Sequence, residues 1–75
     1  MEKRLYKQLW SLRFKKMLKL EEKAAADYEA LLMECREKYK DHAIIHELER
    51  LVSDEKKHAL LVMELLEILG RQSTR

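Results

Sequence analysis

Residues 48–69 read LERLVSDEKKHALLVMELLEIL. With the lead-in from residue 44, the positions Ile44, Leu48, Leu51, Glu55, His58, Val62, Leu65 and Leu69 are separated by alternating gaps of four and three. That spacing keeps one stripe of a helix facing a partner helix, as in coiled coils and four-helix bundles. Six members of the stripe are apolar. Glu55 and His58 are not, and an unpaired carboxylate on a buried stripe is costly. Their neighbours Asp54, Lys56 and Lys57 point elsewhere, so the two exceptions stand in an otherwise orderly pattern. How the chain offsets their cost decides what it does.

Upstream, Trp10, Phe14, Met17, Glu21, Ala24, Tyr28, Leu31 and Cys35 repeat the same four–three spacing. One polar exception, Glu21, again interrupts the stripe. The break between the stripes falls at Tyr39-Lys40-Asp41, where Asp41 suits the N-cap of a second helix. The lone glycine, Gly70, is expected to end that helix. The reading is all-α: one domain over 1–75, with a basic aromatic N-terminal helical extension over 1–13, a first helix over 14–38, a second over 42–69, and a tail over 70–75.

Composition agrees. Proline is absent, charged residues make up 40% and hydrophobic ones 47%, a Lys/Glu/Leu/Ala-rich mixture suited to long helices. At 75 residues the chain buries too little apolar surface to be comfortably stable alone, so it needs a disulfide, a metal or a partner chain. The single cysteine, Cys35, excludes an internal disulfide and every CxxC-type site, and fits a small buried hydrophobe in a reducing, cytoplasmic setting. No apolar run approaches the ~18 residues of a membrane span. The N-terminus lacks the apolar core of a secretory signal. Residues 1–16 carry Lys3, Arg4, Lys7, Arg13, Lys15 and Lys16 against Glu2, a net +5, which leaves −3 for the remainder of a +2 chain. A membrane-surface or nucleic-acid patch is one reading of that end. The preferred one is a helix start whose lysines snorkel around a packed aromatic stripe, with no nucleic-acid partner.

The two interrupted stripes meet. Glu21 lies ~19 residues before the turn and Glu55–His58 lie ~15–18 after it, so an antiparallel hairpin sets them at levels agreeing within ~6 Å. Two helices cannot enclose a core, but two copies related by a two-fold axis make a four-helix bundle. Such a homodimer gathers two Glu21, two Glu55 and two His58, the ligand set of a carboxylate-bridged two-metal site. Four carboxylates carry the charge that two divalent cations balance. The oxygen-rich set with two imidazoles suits iron, with manganese as the alternative, better than structural zinc. The competing reading is a buried polar layer that fixes register in a homodimer.

The segment LEEKAAADYEALL, with Glu21, Ala24 and Tyr28, resembles the first helix of rubrerythrin-like and ferritin-like proteins. LVSDEKKHALLVMELL, with Glu55, His58, Ala59 and Leu60, resembles their Glu-x-x-His helix. The resemblance spans about residues 14–69 and corresponds to half of a ferritin-like bundle, as in the encapsulated ferritins. It implies Glu21 as a terminal ligand, Glu55 as a bridging ligand and His58 as a terminal ligand. Tyr28 would hydrogen-bond a ligand carboxylate, across the dimer; the plainer reading of Tyr28 is a core tyrosine with a satisfied hydroxyl. It further implies two irons per dimer and oxidation of Fe(II) by dioxygen or peroxide. Partners would be a second copy or a higher even oligomer, with a shell protein or an external electron donor. The site could then lie inside a protein compartment. The basic, Trp-bearing N-terminus has no counterpart in that family.

Two further expectations complete the reading. His42, His46 and Glu49 share a helix face and could form a secondary metal site, though a solvated face is the simpler account. Glu22 is expected at the surface. The functional alternatives are a non-catalytic homodimeric interaction module and a metal-sequestering dimer without turnover. Phosphate loops and nucleophile elbows are missing.

Overall fold

The computed structural model of the chain describes residues 2–72. Two helices fold back on each other as an antiparallel hairpin: α1 is Lys3–Glu34, a π-helical turn covers Cys35–Tyr39, and α2 is His42–Arg71. The product is a rod of 56 × 14 × 13 Å. The extension expected over 1–13 continues into the first helix without a break, because no glycine or proline interrupts Lys3–Glu34. Among the described residues, no helix is long and apolar enough to cross a membrane.

The turn lies where the sequence places it. Lys40 takes the left-handed conformation, φ 57°, and its N–H donates to the Cys35 carbonyl at 2.7 Å. That closes α1 as glycine more often does. Asp41 then caps α2: its Oδ1 accepts from the Ile44 N–H at 3.0 Å, satisfying one of the orphan donors of the first turn. The other end differs from expectation. Gly70 has no positive φ, and α2 runs through it to Arg71. What closes this end is Lys7, whose Nζ donates to the carbonyls of Gly70 and Gln72 at 3.3 and 2.9 Å. A lysine at a helix C-terminus both satisfies carbonyls and suits the dipole. Of the tail expected over 70–75, residues 73–75 lie outside the described residues.

The contact between the helices is rotated from the expected stripes. Inward positions on α1 are Phe14, Leu18, Glu21, Ala25, Tyr28, Leu32 and Cys35; on α2 they are Ile45, Leu48, Val52, Glu55, Ala59, Val62, Leu66 and Leu69. Among the described residues only Ala25, Leu32, Cys35, Val52 and Val62 are buried. Every second member of the expected stripes is therefore correct. The remainder — Trp10, Met17 and Leu31 on α1, Ile44, Leu51, His58 and Leu65 on α2 — lie exposed along one side of the hairpin. The reason is width. Each helix is apolar over three adjacent rows, and the hairpin closes on the rows that hold the small side chains Ala25, Val52 and Ala59.

The two long sides of the hairpin differ in chemistry. One groove is lined by Leu31, Cys35, Tyr39, Ile44 and Leu48, with Glu34 and Lys38 at its end near the turn. The opposite groove carries Glu29, Arg36, Glu49 and Lys56 together with Leu32, Met33, Val52 and Leu60, with ion pairs Arg36–Glu49 at 3.8 Å and Lys56–Glu29 joining the helices. Exposed pairs of this kind contribute little stability. Their effect here is to bridge the helices with charge across a side that also exposes Met33 and Leu60, whereas among the described residues no lysine or arginine ion pair crosses the Leu31–Ile44 side.

Candidate metal centre

Glu21 is set by the middle of α1, and Glu55 and His58 by consecutive turns of α2, three residues apart and so on one face. The hairpin brings all three together: a ligand atom from each lies within 4.8 Å of the others. His58 Nδ1 stands 3.6 Å from Glu21 Oε2 and 3.9 Å from Glu55 Oε1. Both separations exceed hydrogen-bond length. His58 thus converges on the two carboxyl groups without hydrogen-bonding either.

Exposure gives the trio a direction. The side chains are 54% exposed at His58, 27% at Glu21 and 19% at Glu55. Glu21 and Glu55 occupy the contact between the helices, while His58 sits on the uncovered apolar side, between Leu51 and Leu65 in its row. The mouth of the site therefore opens on that side. The sequence reading had all three facing one buried stripe; His58 belongs instead to the outer row, because α2 turns Ala59 toward α1.

The electrostatics are those of a site short of positive charge. Glu21 Oε2 is buried and has no hydrogen-bond partner, an arrangement that costs free energy unless something fills it. Across from it, the Glu55 carboxyl is held above the ordinary carboxylate range. The principal cause is its hydrogen bond with the Glu21 carboxyl, followed by burial and by the charges of Glu21 and Asp54; His58 works in the opposite direction. A divalent cation among the three would remove the orphaned oxygen and the carboxylate repulsion together. An oxygen-and-imidazole donor set is compatible with several divalent transition metals, iron and manganese among them. One chain supplies three ligand side chains, which leaves coordination positions open toward the uncovered side.

Tyr28 lies half-buried two turns from Glu21 on the inward row. It makes no hydrogen bond to the trio within the chain. Cys35 is buried and free, outside the ligand group. Glu22 is exposed, as are Asp54, Lys56 and Lys57. His42, His46 and Glu49 are exposed on the first turns of α2; the one group of three close enough to share an ion, among the described residues, is Glu21, Glu55 and His58. Glu49 reaches instead to Arg36. Lys7, which ties the two ends of the chain together, escaped the sequence reading, and a lone lysine in a basic stretch offers no signal for such a role.

No protein-family model, curated protein or solved structure matches the chain.

Proposed function

We propose that the chain is half of a ferritin-like di-iron protein, and that two copies complete a centre which oxidises Fe(II) with dioxygen or peroxide. The observation that carries the reading is the convergence of Glu21, Glu55 and His58 around an unpartnered, buried carboxylate oxygen. Bound iron would supply the electrons for reducing the oxidant. The chain's own part is to hold the ions and to keep the surroundings dry. Glu21 and Glu55 provide charge from the hairpin contact, and His58 provides a neutral nitrogen from the rim. Leu51 and Leu65, two turns either side of His58, would exclude water once covered. Tyr28 would orient a carboxylate of the partner copy.

Two features favour a second copy as the cover, in antiparallel orientation. Glu21 is 18 residues past Lys3, so it lies ~27 Å along the 56 Å rod, near its middle. A two-fold axis across the rod at that level superimposes the two half-sites and lays the apolar sides together. The same operation sets the cationic N-terminal end of one copy beside the turn end of the other, where five carboxylates and four cations between Glu34 and Arg50 leave the charge near neutral. A parallel pairing would bring like ends together.

The test is aerobic addition of Fe(II). Wild type should develop ferric absorbance, and Glu55→Ala or His58→Ala should abolish it; an equal rate in those variants sinks the proposal. The second reading, a homodimeric interaction module, draws on the same apolar side. It predicts that joint replacement of Glu21, Glu55 and His58 by leucine leaves the dimer as stable or stabler, with no response to metal. A metal-sequestering dimer would gain thermal stability from added metal yet show no oxidation.

A further inference from the structure

The N-terminal half of α1 carries a feature that the metal reading does not use. From Lys3 to Leu20 there are seven cationic residues and no acidic one. Part of this stretch is explained by packing. Trp10 and Phe14 stack with centroids 5.6 Å apart, Arg13 lies 4.8 Å over the Trp10 ring, and Lys7 closes the end of α2. Leu5 and Leu12 are not explained. They stand two turns apart in one row, 50% and 66% exposed, on the side of α1 turned away from α2. That row is also remote from the Trp10–Met17–Leu31 row, so an antiparallel second copy would leave it free. Lys15, Lys16 and Lys19 are exposed around the same line. Beside it runs a shallow groove lined by Arg4, Lys7, Gln8, Ser11, Leu12 and Lys15. Its polar groups are guanidinium, ammonium, amide and hydroxyl, with no carboxylate.

We propose that this ridge is a docking surface for an anionic lipid bilayer: Leu5 and Leu12 enter the headgroup–acyl boundary while the Arg4–Lys15 groove and Lys16 and Lys19 take lipid phosphates. The chemistry selects the bilayer over other polyanions. Nucleic-acid backbones would pair the cations but leave the two leucines in water. A peptide helix is received in a concave apolar groove, whereas this surface is a convex ridge of leucines edged by cations, the form that lies flat in a membrane interface. Charge complementarity with phosphate-bearing lipid supplies the long-range attraction. The helix lies along the surface and does not cross it. This inference is independent of the metal centre.

The experiment is flotation of the full chain with vesicles of equal parts phosphatidylcholine and phosphatidylglycerol, and with phosphatidylcholine alone. Binding to the mixed vesicles should be at least ~10-fold tighter and should weaken with salt. Joint Lys15→Glu, Lys16→Glu and Lys19→Glu replacement should cost about 100-fold or more. All three residues are exposed, so circular dichroism should show the helices retained. A second variant reads depth: Leu12→Trp in a Trp10→Phe background should shift its emission to the blue with the mixed vesicles and not with duplex DNA. Equal affinity for both vesicle types, affinity unchanged by charge reversal, no emission shift, or binding to duplex DNA without binding to vesicles would each overturn the proposal.

Discussion

Replacing Leu51 by alanine separates the hairpin contact from the proposed contact between copies. Leu51 is 40% exposed in the single chain, so its inner part belongs to the hairpin and its outer part to whatever covers the apolar side. Fully burying a leucine is worth ~1.5–3 kcal/mol. The outer share is then ~0.6–1.2 kcal/mol per copy, and two-fold symmetry doubles it to about 1.2–2.4 kcal/mol of dimer stability. The dimer dissociation constant should rise by roughly 8- to 60-fold, since ~1.4 kcal/mol is a factor of ten. Alanine keeps the helix intact, being the best helix former. The comparison is Leu12→Ala. Leu12 is more exposed, at 66%, but it lies on the outward ridge, so its loss should leave the dimer constant within about two-fold. Sedimentation equilibrium over a range of concentrations measures both. A chain that is monomeric throughout, or a Leu12→Ala variant weakened as much as Leu51→Ala, would refute the reasoning that the Trp10–Leu51–Leu65 side is the interface.

Glu55 gives a pH dependence with a definite sign. Its folded-state pKa is raised above 4.5, so in the metal-free protein the contribution of its proton is fully present below that value. It is lost as pH rises through the folded-state pKa. Thermal melts of metal-free protein should decline across that window, Glu55→Gln should flatten the decline, and saturating Mn(II) should reverse it, because metal requires the deprotonated carboxylate. A decline unchanged by Glu55→Gln would be the contrary result. Asp41→Ala should lower stability by ~1 kcal/mol through loss of the α2 cap, read from denaturant midpoints. Lys40→Gly should raise it by up to about 1 kcal/mol, since a left-handed position suits glycine; a loss of stability would contradict the turn geometry. Lys7→Ala should cost roughly 0.5–1.5 kcal/mol and speed amide exchange near Gly70 and Gln72.

The helices, their antiparallel pairing and the level match of Glu21 with Glu55 and His58 were legible in the sequence for one reason: 1.5 Å of rise per residue is nearly independent of side chains. The break at Lys40-Asp41 was legible because capping is local chemistry. The rotation of the helices about their own axes was not. In α1 the row Ser11–Leu18–Ala25–Leu32 competes with Trp10–Met17–Ala24–Leu31, and in α2 the row Ile45–Val52–Ala59–Leu66 competes with Ile44–Leu51–His58–Leu65. Periodicity ranks such neighbouring rows equally; side-chain volume at the contact breaks the tie. Gly70 misled for a related reason. Its ability to end a helix matters only where the backbone adopts a positive φ, and here a lysine 63 residues away takes the carbonyl instead.

That rotation gives the polar residues a common logic. Each helix has one row, Phe14–Glu21–Tyr28–Cys35 or Leu48–Glu55–Val62–Leu69, flanked on one side by the row that closes the hairpin and on the other by the exposed apolar row. In a bundle of two hairpins those middle rows approach the central axis, the place most removed from water. Glu21, Tyr28 and Glu55 all occupy them, while the charges of Glu29, Arg36, Glu49 and Lys56 are kept to the opposite side. If the trio served only to fix register, one buried polar residue per helix would suffice, and an orphaned Glu21 oxygen facing a second carboxylate would be a needless cost. His58 on the rim adds a nitrogen donor at the same point, which the proposed iron site would use and a register layer would not.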